Sequence, residues 1–172
     1  RMHPSTPVAF EDTIESKLAQ QMQTALKEVE PEHSVLLHGV TGTGKTRTAW
    51  VLFNKGWLHF YPKHSHFLTM RKLEQEIEKG FANQNHGDVI ERFSTCALLA
   101  IDDLGKERLT ARMESDLFAI IDERTSNKRP TIITTNVRLE HWEAQYGEAM
   151  ASFANEAFIR VPIIGSDLRG AQ

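Results

Sequence analysis

One eight-residue stretch constrains this chain more than any other: Gly39-Val40-Thr41-Gly42-Thr43-Gly44-Lys45-Thr46. It fills every fixed position of the pattern G-x-x-x-x-G-K-[ST], whose glycines let the backbone curl until several N–H groups face one anion. The apolar run S-V-L-L-H at 34–38 precedes it, and residues 45–55 read as a helix after it. A strand, a glycine loop and a helix in that order bind phosphate, because the helix N-terminus adds the positive end of its dipole. In such a loop Lys45 reaches the β- and γ-phosphates of a nucleotide, and the Thr46 hydroxyl ligates Mg²⁺. The plain alternative, a tight glycine turn between two elements, is disfavoured because sequence and context agree.

The rest of the chain alternates. Residues 1–12, with Pro4 and Pro7, read as an irregular lead-in, and 13–172 as one core. Over 13–29, Ile14, Leu18, Met22, Leu26 and Val29 recur at steps of three or four, an amphipathic helix closed by Pro31. Further strands are expected at 65–69, 96–101, 131–135 and 160–164. Helices are expected around Leu73, Ile77 and Phe81, over 88–93 and 110–126, and over 139–146 and 149–158. Asp102 and Asp103 are expected to end the third strand with two charges, and Gly165 to break the last. The strands are apolar runs rather than alternating ones, which argues for a parallel sheet covered on both faces.

Composition removes several classes. A chain of 172 residues buries a sizeable core as one domain, with no staple required. Its single cysteine, Cys96, excludes a disulfide framework and a cysteine-based zinc site, and fits a reducing, cytoplasmic setting. The longest apolar run is six residues, 96–101, so no membrane partner is expected. The N-terminus, Arg1-Met2-His3-Pro4, carries no apolar stretch of a secretory signal, and an Arg before a Met points to a cloning remnant or a cut from a longer protein. A net charge of −3 lacks the footprint of an independent nucleic-acid binder, so DNA contact would need a local patch or several copies together.

Two further groups carry chemistry. Asp102 and Asp103 follow the run L-L-A-I, at the C-terminal end of a central strand, where ligands bind in such sheets. Asp102 there holds magnesium, and Asp103 accepts or orients a proton of attacking water. Thr134-Thr135-Asn136 ends another strand; Asn136 reads equally as a polar group beside the γ-phosphate or as an N-cap of the next helix. Two basic clusters, Lys106 with Arg108 and Arg112, and Arg124 with Lys128 and Arg129, read as solvated charged faces before DNA contacts. His59, His64 and His66 beside Trp57, Phe60 and Tyr61 lack an acid or cysteine at zinc-like spacing, so a loop with partly buried aromatics is expected.

The set Gly39–Thr46, L-L-A-I-D-D-L-G at 98–105, Arg124 in I-I-D-E-R and P-T-I-I-T-T-N at 130–136 resembles the AAA+ ATPases. More narrowly it resembles DnaC-type helicase loaders and IstB-type transposition helpers, and G-S-D-L-R at 165–169 is similar to their G-x-D-x-R ending. The resemblance runs over about 10–169. It implies a three-layer α/β P-loop fold with a central parallel sheet, no evident C-terminal lid domain, and ATP and Mg²⁺ as cofactors. The nucleotide loop is then Gly39, Val40, Thr41, Gly42, Thr43, Gly44, Lys45 and Thr46, with Arg169 approaching the phosphates. Thr46 and Asp102 hold the metal, and Lys45, Asp103 and the sensor Asn136 serve catalysis. It further implies a DNA-replication accessory ATPase, foremost a replicative helicase loader, with a transposition helper or a non-catalytic ATP switch as rivals. Partners would be a replicative helicase or a transposase, with single-stranded DNA and a nucleotide-dependent homo-oligomer also compatible.

Two departures matter. Loaders and helpers carry arginines in a pattern close to G-E-R-I-x-S-R-L, where this chain has Ala149 and Phe153. The lost finger predicts slow hydrolysis unless Arg124, Arg160 or another chain's arginine substitutes. The chain is also too short to include the N-terminal segment with which loaders grip the helicase.

Overall fold

Leu36 has both flanking neighbours, Val35 and Leu37, as buried as itself, all at 0% exposure. Successive strand residues point to opposite faces, so a strand buried at every position needs cover on both sides. The computed structural model of the chain, which describes residues 29, 32–57, 64–106 and 109–164, has that arrangement. Five parallel strands, β1 (Ser34–His38), β2 (Ser65–Thr69), β3 (Leu98–Leu104), β4 (Thr131–Thr135) and β5 (Phe158–Pro162), form one sheet in the order β2-β3-β4-β1-β5.

Among the described residues the helices in chain order are α1 (Lys45–Val51), α2 (Met70–Ala82), α3 (His86–Thr95), α4 (Ala111–Ser126) and α5 (Trp142–Glu156), the last kinked at Gly147, whose φ of 82° is non-helical. Helix α1 runs on into a π-helical turn, Leu52–Trp57, and a 3₁₀ turn, Leu139–His141, leads into α5. Val35, Leu37, Leu98, Ala100 and Ile132 pack on Ala49, Val51, Leu52 and Phe53 on one face. Leu36, Leu99, Ile101 and Ile133 pack on the opposite face with Leu73, Phe93, Leu117, Ile121 and Trp142. The result is the three-layer sandwich that the apolar runs imply. Thr69 and Thr110 start α2 and α4 by accepting the N–H of Lys72 and Met113, the usual N-cap contact.

Strand β3 corrects the expectation that the acidic pair ends it. It begins at Leu98 and passes through Asp102 and Asp103 to Leu104. Its pairing with β4 jumps from Ile101–Ile133 to Leu104–Thr135, and Asp103 takes a positive φ of 62°. This bulge tolerates two charges because it gives their side chains different surroundings: Asp102 is buried and Asp103 half-exposed. Strand β5 begins two residues before the expected 160–164, and α5 ends at Glu156 rather than 158. Among the described residues β5 pairs with β1 alone, and as an edge strand it tolerates Pro162, which has no N–H to give.

Arg124 is a second correction. It is a core residue at 0% exposure, not part of a DNA-facing cluster or a spare finger. Its guanidinium donates to the carbonyls of Phe93, Cys96 and Pro130 at 2.9, 2.8 and 2.7 Å and to Thr131 Oγ1 at 2.8 Å. Arg129, reaching Ser94 O at 3.3 Å, and Lys128 lie just ahead of β4, at the end of the sheet away from the glycine loop. The expected helix over 13–29 (Val29 apart), Pro31, His59, Phe60, Tyr61, Arg108 and the 165–169 segment with Arg169 lie outside the described residues.

Candidate nucleotide site

The C-terminal ends of β1, β3 and β4 are neighbours in the sheet, which brings the glycine loop, the acidic pair and Asn136 to one edge. The loop turns on Gly42 and Gly44, at φ 87° and 95°, where a side chain would be strained. Gly44 is the N-cap of α1 and brings no side chain to its free N–H groups. Lys45 is only 7% exposed and lies inside the loop, its Nζ donating to Gly39 O at 2.8 Å and Val40 O at 2.7 Å. Thr43 Oγ1 donates to the same Val40 carbonyl at 2.9 Å.

Thr46 Oγ1 lies 3.0 Å from each carboxylate oxygen of Asp102. Thr134 Oγ1 donates to Asp102 Oδ1 at 2.6 Å and accepts the N–H of Asp103 at 2.9 Å. Burial pushes the Asp102 carboxyl above the usual carboxylate range, with the Thr134 hydrogen bond opposing it. A buried carboxylate and a hydroxyl at this spacing are hard oxygen donors of the kind Mg²⁺ takes. Asp103 points away from that pair and meets Lys106 Nζ at 2.9 Å. Both line a cavity of about 280 Å³ with Thr69, Met70 and Arg71. His38, at the end of β1, is held below its usual pKa by burial and by Arg160 and Lys45.

Asn136 is exposed at the end of β4, and its side chain has no hydrogen-bond partner among the described residues. It does not cap the following helix, since Arg138 and His141 occupy the N-cap positions of the 3₁₀ turn and of α5. At the positions where the resemblance leads one to expect arginines, Ala149 is exposed on α5, and Phe153 packs its ring 5.4 Å from Phe118. His66 stacks edge-on against Phe93 at 5.3 Å, and no three His, Cys, Asp or Glu side chains among the described residues converge as a metal site. Arg112 lies over the Phe81 ring. Thr134 is the site residue that sequence reasoning passed over, because a threonine inside T-I-I-T-T reads as strand propensity.

The strand order and the loop-and-acid edge define a P-loop NTPase of AAA+ type. The fold is shared with a crystal structure of the DnaC helicase loader, at a TM-score of 0.70 and 20% identity, covering 95% of this chain and 94% of that one. Residues 7–156 match the family described as "IstB-like ATP binding protein", and the chain belongs to that family as an ATP-binding domain. It is 27% identical over 139 residues to an ATP-binding protein assigned to an insertion sequence of Mycobacterium tuberculosis, covering 77% of this chain and 53% of that protein. It is also 27% identical over 117 residues to the replicative helicase loader DnaC of Escherichia coli K12, covering 67% and 47%. The chain therefore spans about half the length of the curated relatives it matches. Among the described residues no helix is long and apolar enough to cross a membrane.

Proposed function

We propose that this domain hydrolyses ATP with Mg²⁺ and uses its nucleotide state to control a DNA-handling partner. The observation that carries the reading is the Thr46–Asp102 contact beside the buried Lys45. Residues 39–46 wrap the phosphates with their N–H groups, and Lys45 exchanges its two carbonyl partners for β- and γ-phosphate oxygens. Thr46 and Asp102 hold the metal, which when bound neutralises charge developing on the phosphoryl oxygens. Asp103 takes the proton of the attacking water once it leaves Lys106, and Asn136 orients that water or the γ-phosphate. Arg169 belongs to the same site by its resemblance to the family ending. Residues 13–172 act as the ATPase core and 1–12 as its lead-in. With Ala149 and Phe153 at the finger positions, turnover by the isolated domain is slow.

The family match and the 139-residue alignment with an insertion-sequence protein favour a transposition helper, acting on a transposase. The alignment with DnaC supports the helicase-loader reading at the same identity over fewer residues. The deciding experiment is ATP turnover against protein concentration, with and without single-stranded DNA, with Lys45→Ala as blank. A specific rate that rises with concentration or DNA supports an active site completed by assembly. A rate equal to the blank with ATP bound reduces the domain to a nucleotide switch. ATP affinity unchanged in Lys45→Ala overturns the loop assignment. Asp103→Asn keeps nucleotide binding and slows turnover; equal turnover removes Asp103 from the mechanism.

A further inference from the structure

Thr134 is 1% exposed, and its single hydroxyl touches both acids of the site. A hydroxyl has one proton to give and lone pairs to accept with. The proton goes to Asp102 Oδ1 at 2.6 Å, and a lone pair takes the Asp103 N–H at 2.9 Å. The first contact holds one oxygen of a carboxylate that lies with both oxygens 3.0 Å from the Thr46 hydroxyl. The second ties down the backbone of a residue held at φ 62°, in the left-handed region that L-residues enter at a cost and Asp more readily than most, at the point where β3 and β4 slip register.

We infer that Thr134 is a positioning residue that sets the carboxylate of Asp102 for the metal and the bulge of Asp103 for water activation, making the two acids one unit. This rests on the roles proposed above for Asp102 and Asp103. The physical ground is that a carboxylate ligand rotates unless a hydrogen bond from behind holds it, and losing such an outer partner typically costs ~10–100-fold in metal affinity. Valine at this position keeps the branched shape that suits a buried strand and removes only the hydroxyl.

The test is binding of a fluorescent ATP analogue by the whole chain, titrated with Mg²⁺ and repeated in EDTA, for Thr134→Val, Thr134→Ser and Asp102→Asn. In EDTA the valine variant binds nucleotide within about twofold of the parent, because the loop and Lys45 are untouched. Its apparent Mg²⁺ affinity falls ~10–100-fold, and turnover at saturating Mg²⁺ stays depressed because Asp103 has lost its anchor. Serine restores both. A valine variant with parental Mg²⁺ dependence overturns the inference, as does a serine variant that fails like valine, or an equal loss of binding in EDTA. If valine does not fold, Thr134→Ala gives the same comparison with the same outcomes. Parental Mg²⁺ dependence in Asp102→Asn defeats the metal role of Asp102 itself, which is distinguishable from a failure confined to Thr134.

Discussion

Thr46 and Asp102 stand 56 positions apart in the chain and 3.0 Å apart in space, with the hydroxyl equidistant from both carboxylate oxygens. The contact forms because β3 lies one strand beyond β4, which itself pairs with β1. It leaves a carboxyl at 4% exposure between two hydroxyls, a setting suited to a metal ion.

Asp102 is therefore a cost to the nucleotide-free fold. Its pKa is raised by burial above the ordinary 3.8, so its contribution to stability is whole below that value and is lost as the pH rises through the folded pKa. Asp102→Asn is expected to raise the thermal midpoint of the nucleotide-free protein at pH 7.5, by the equivalent of ~1 kcal/mol. The advantage shrinks as the pH is lowered toward 3.8. Paired melts of the two proteins across that range check it, and a midpoint that falls at neutral pH contradicts it.

Two histidines give the fold an opposite dependence near neutrality. His38 is pushed below 6.5 by burial, Arg160 and Lys45, and His66 by burial, Arg92 and Arg124. The unfolded chain takes up those protons first, so their stabilising contribution is complete above pH 6.5 and is lost as the pH falls through the depressed folded values. Thermal midpoints are expected to drop on acidification from pH 7.5 to 5.5. The slope should flatten in His66→Gln, whose ring packs on Phe93 away from the loop; an unchanged slope removes His66 as a source.

Arg124 satisfies the backbone where α3, β3 and β4 meet. Arg124→Ala strips the donors from the carbonyls of Phe93, Cys96 and Pro130 and opens a hole at 0% exposure. The expected loss is ~3–5 kcal/mol, because several buried carbonyls are left unpaired at ~1–3 kcal/mol each. Urea unfolding measures it, and a loss below ~1 kcal/mol would mean that water replaces the guanidinium.

Gly105 sits at φ 94° against the α5 side of the site, where a Cβ would collide with Val137 and with the Tyr146 hydroxyl. Gly105→Ala is expected to cost ~1–3 kcal/mol from overpacking, with strain from the positive φ added. Because Gly105 follows Asp103 and Leu104, turnover should fall further than ATP binding. Equal losses in both would show general damage instead.

Much of the architecture was legible locally. β1, β2 and β4 have the bounds that their apolar runs indicate, and Thr110 caps the helix that its periodicity marks. The bounds of β3 and β5 were not. Two charges at Asp102 and Asp103 read as the end of a strand until the bulge is known to accommodate them, and Phe158 reads as the end of the preceding helix until its pairing with Ser34 of β1 is known. Arg124 reads as a surface cation because no local pattern reveals three carbonyls converging from other segments.

The sequence alone determined the chemistry on offer: the loop Gly39–Thr46, the acidic pair Asp102–Asp103, the Asn136 that ends a β-rich run, and the sheet class. These are legible because backbone curling, strand burial and helix capping act within a few residues. Tertiary structure decided that the Thr46 hydroxyl meets both oxygens of Asp102, that Thr134 joins the two acids, and that Arg124 is core. Those are contacts between groups far apart in the chain, set by register and packing, and they exist only once the sheet has assembled.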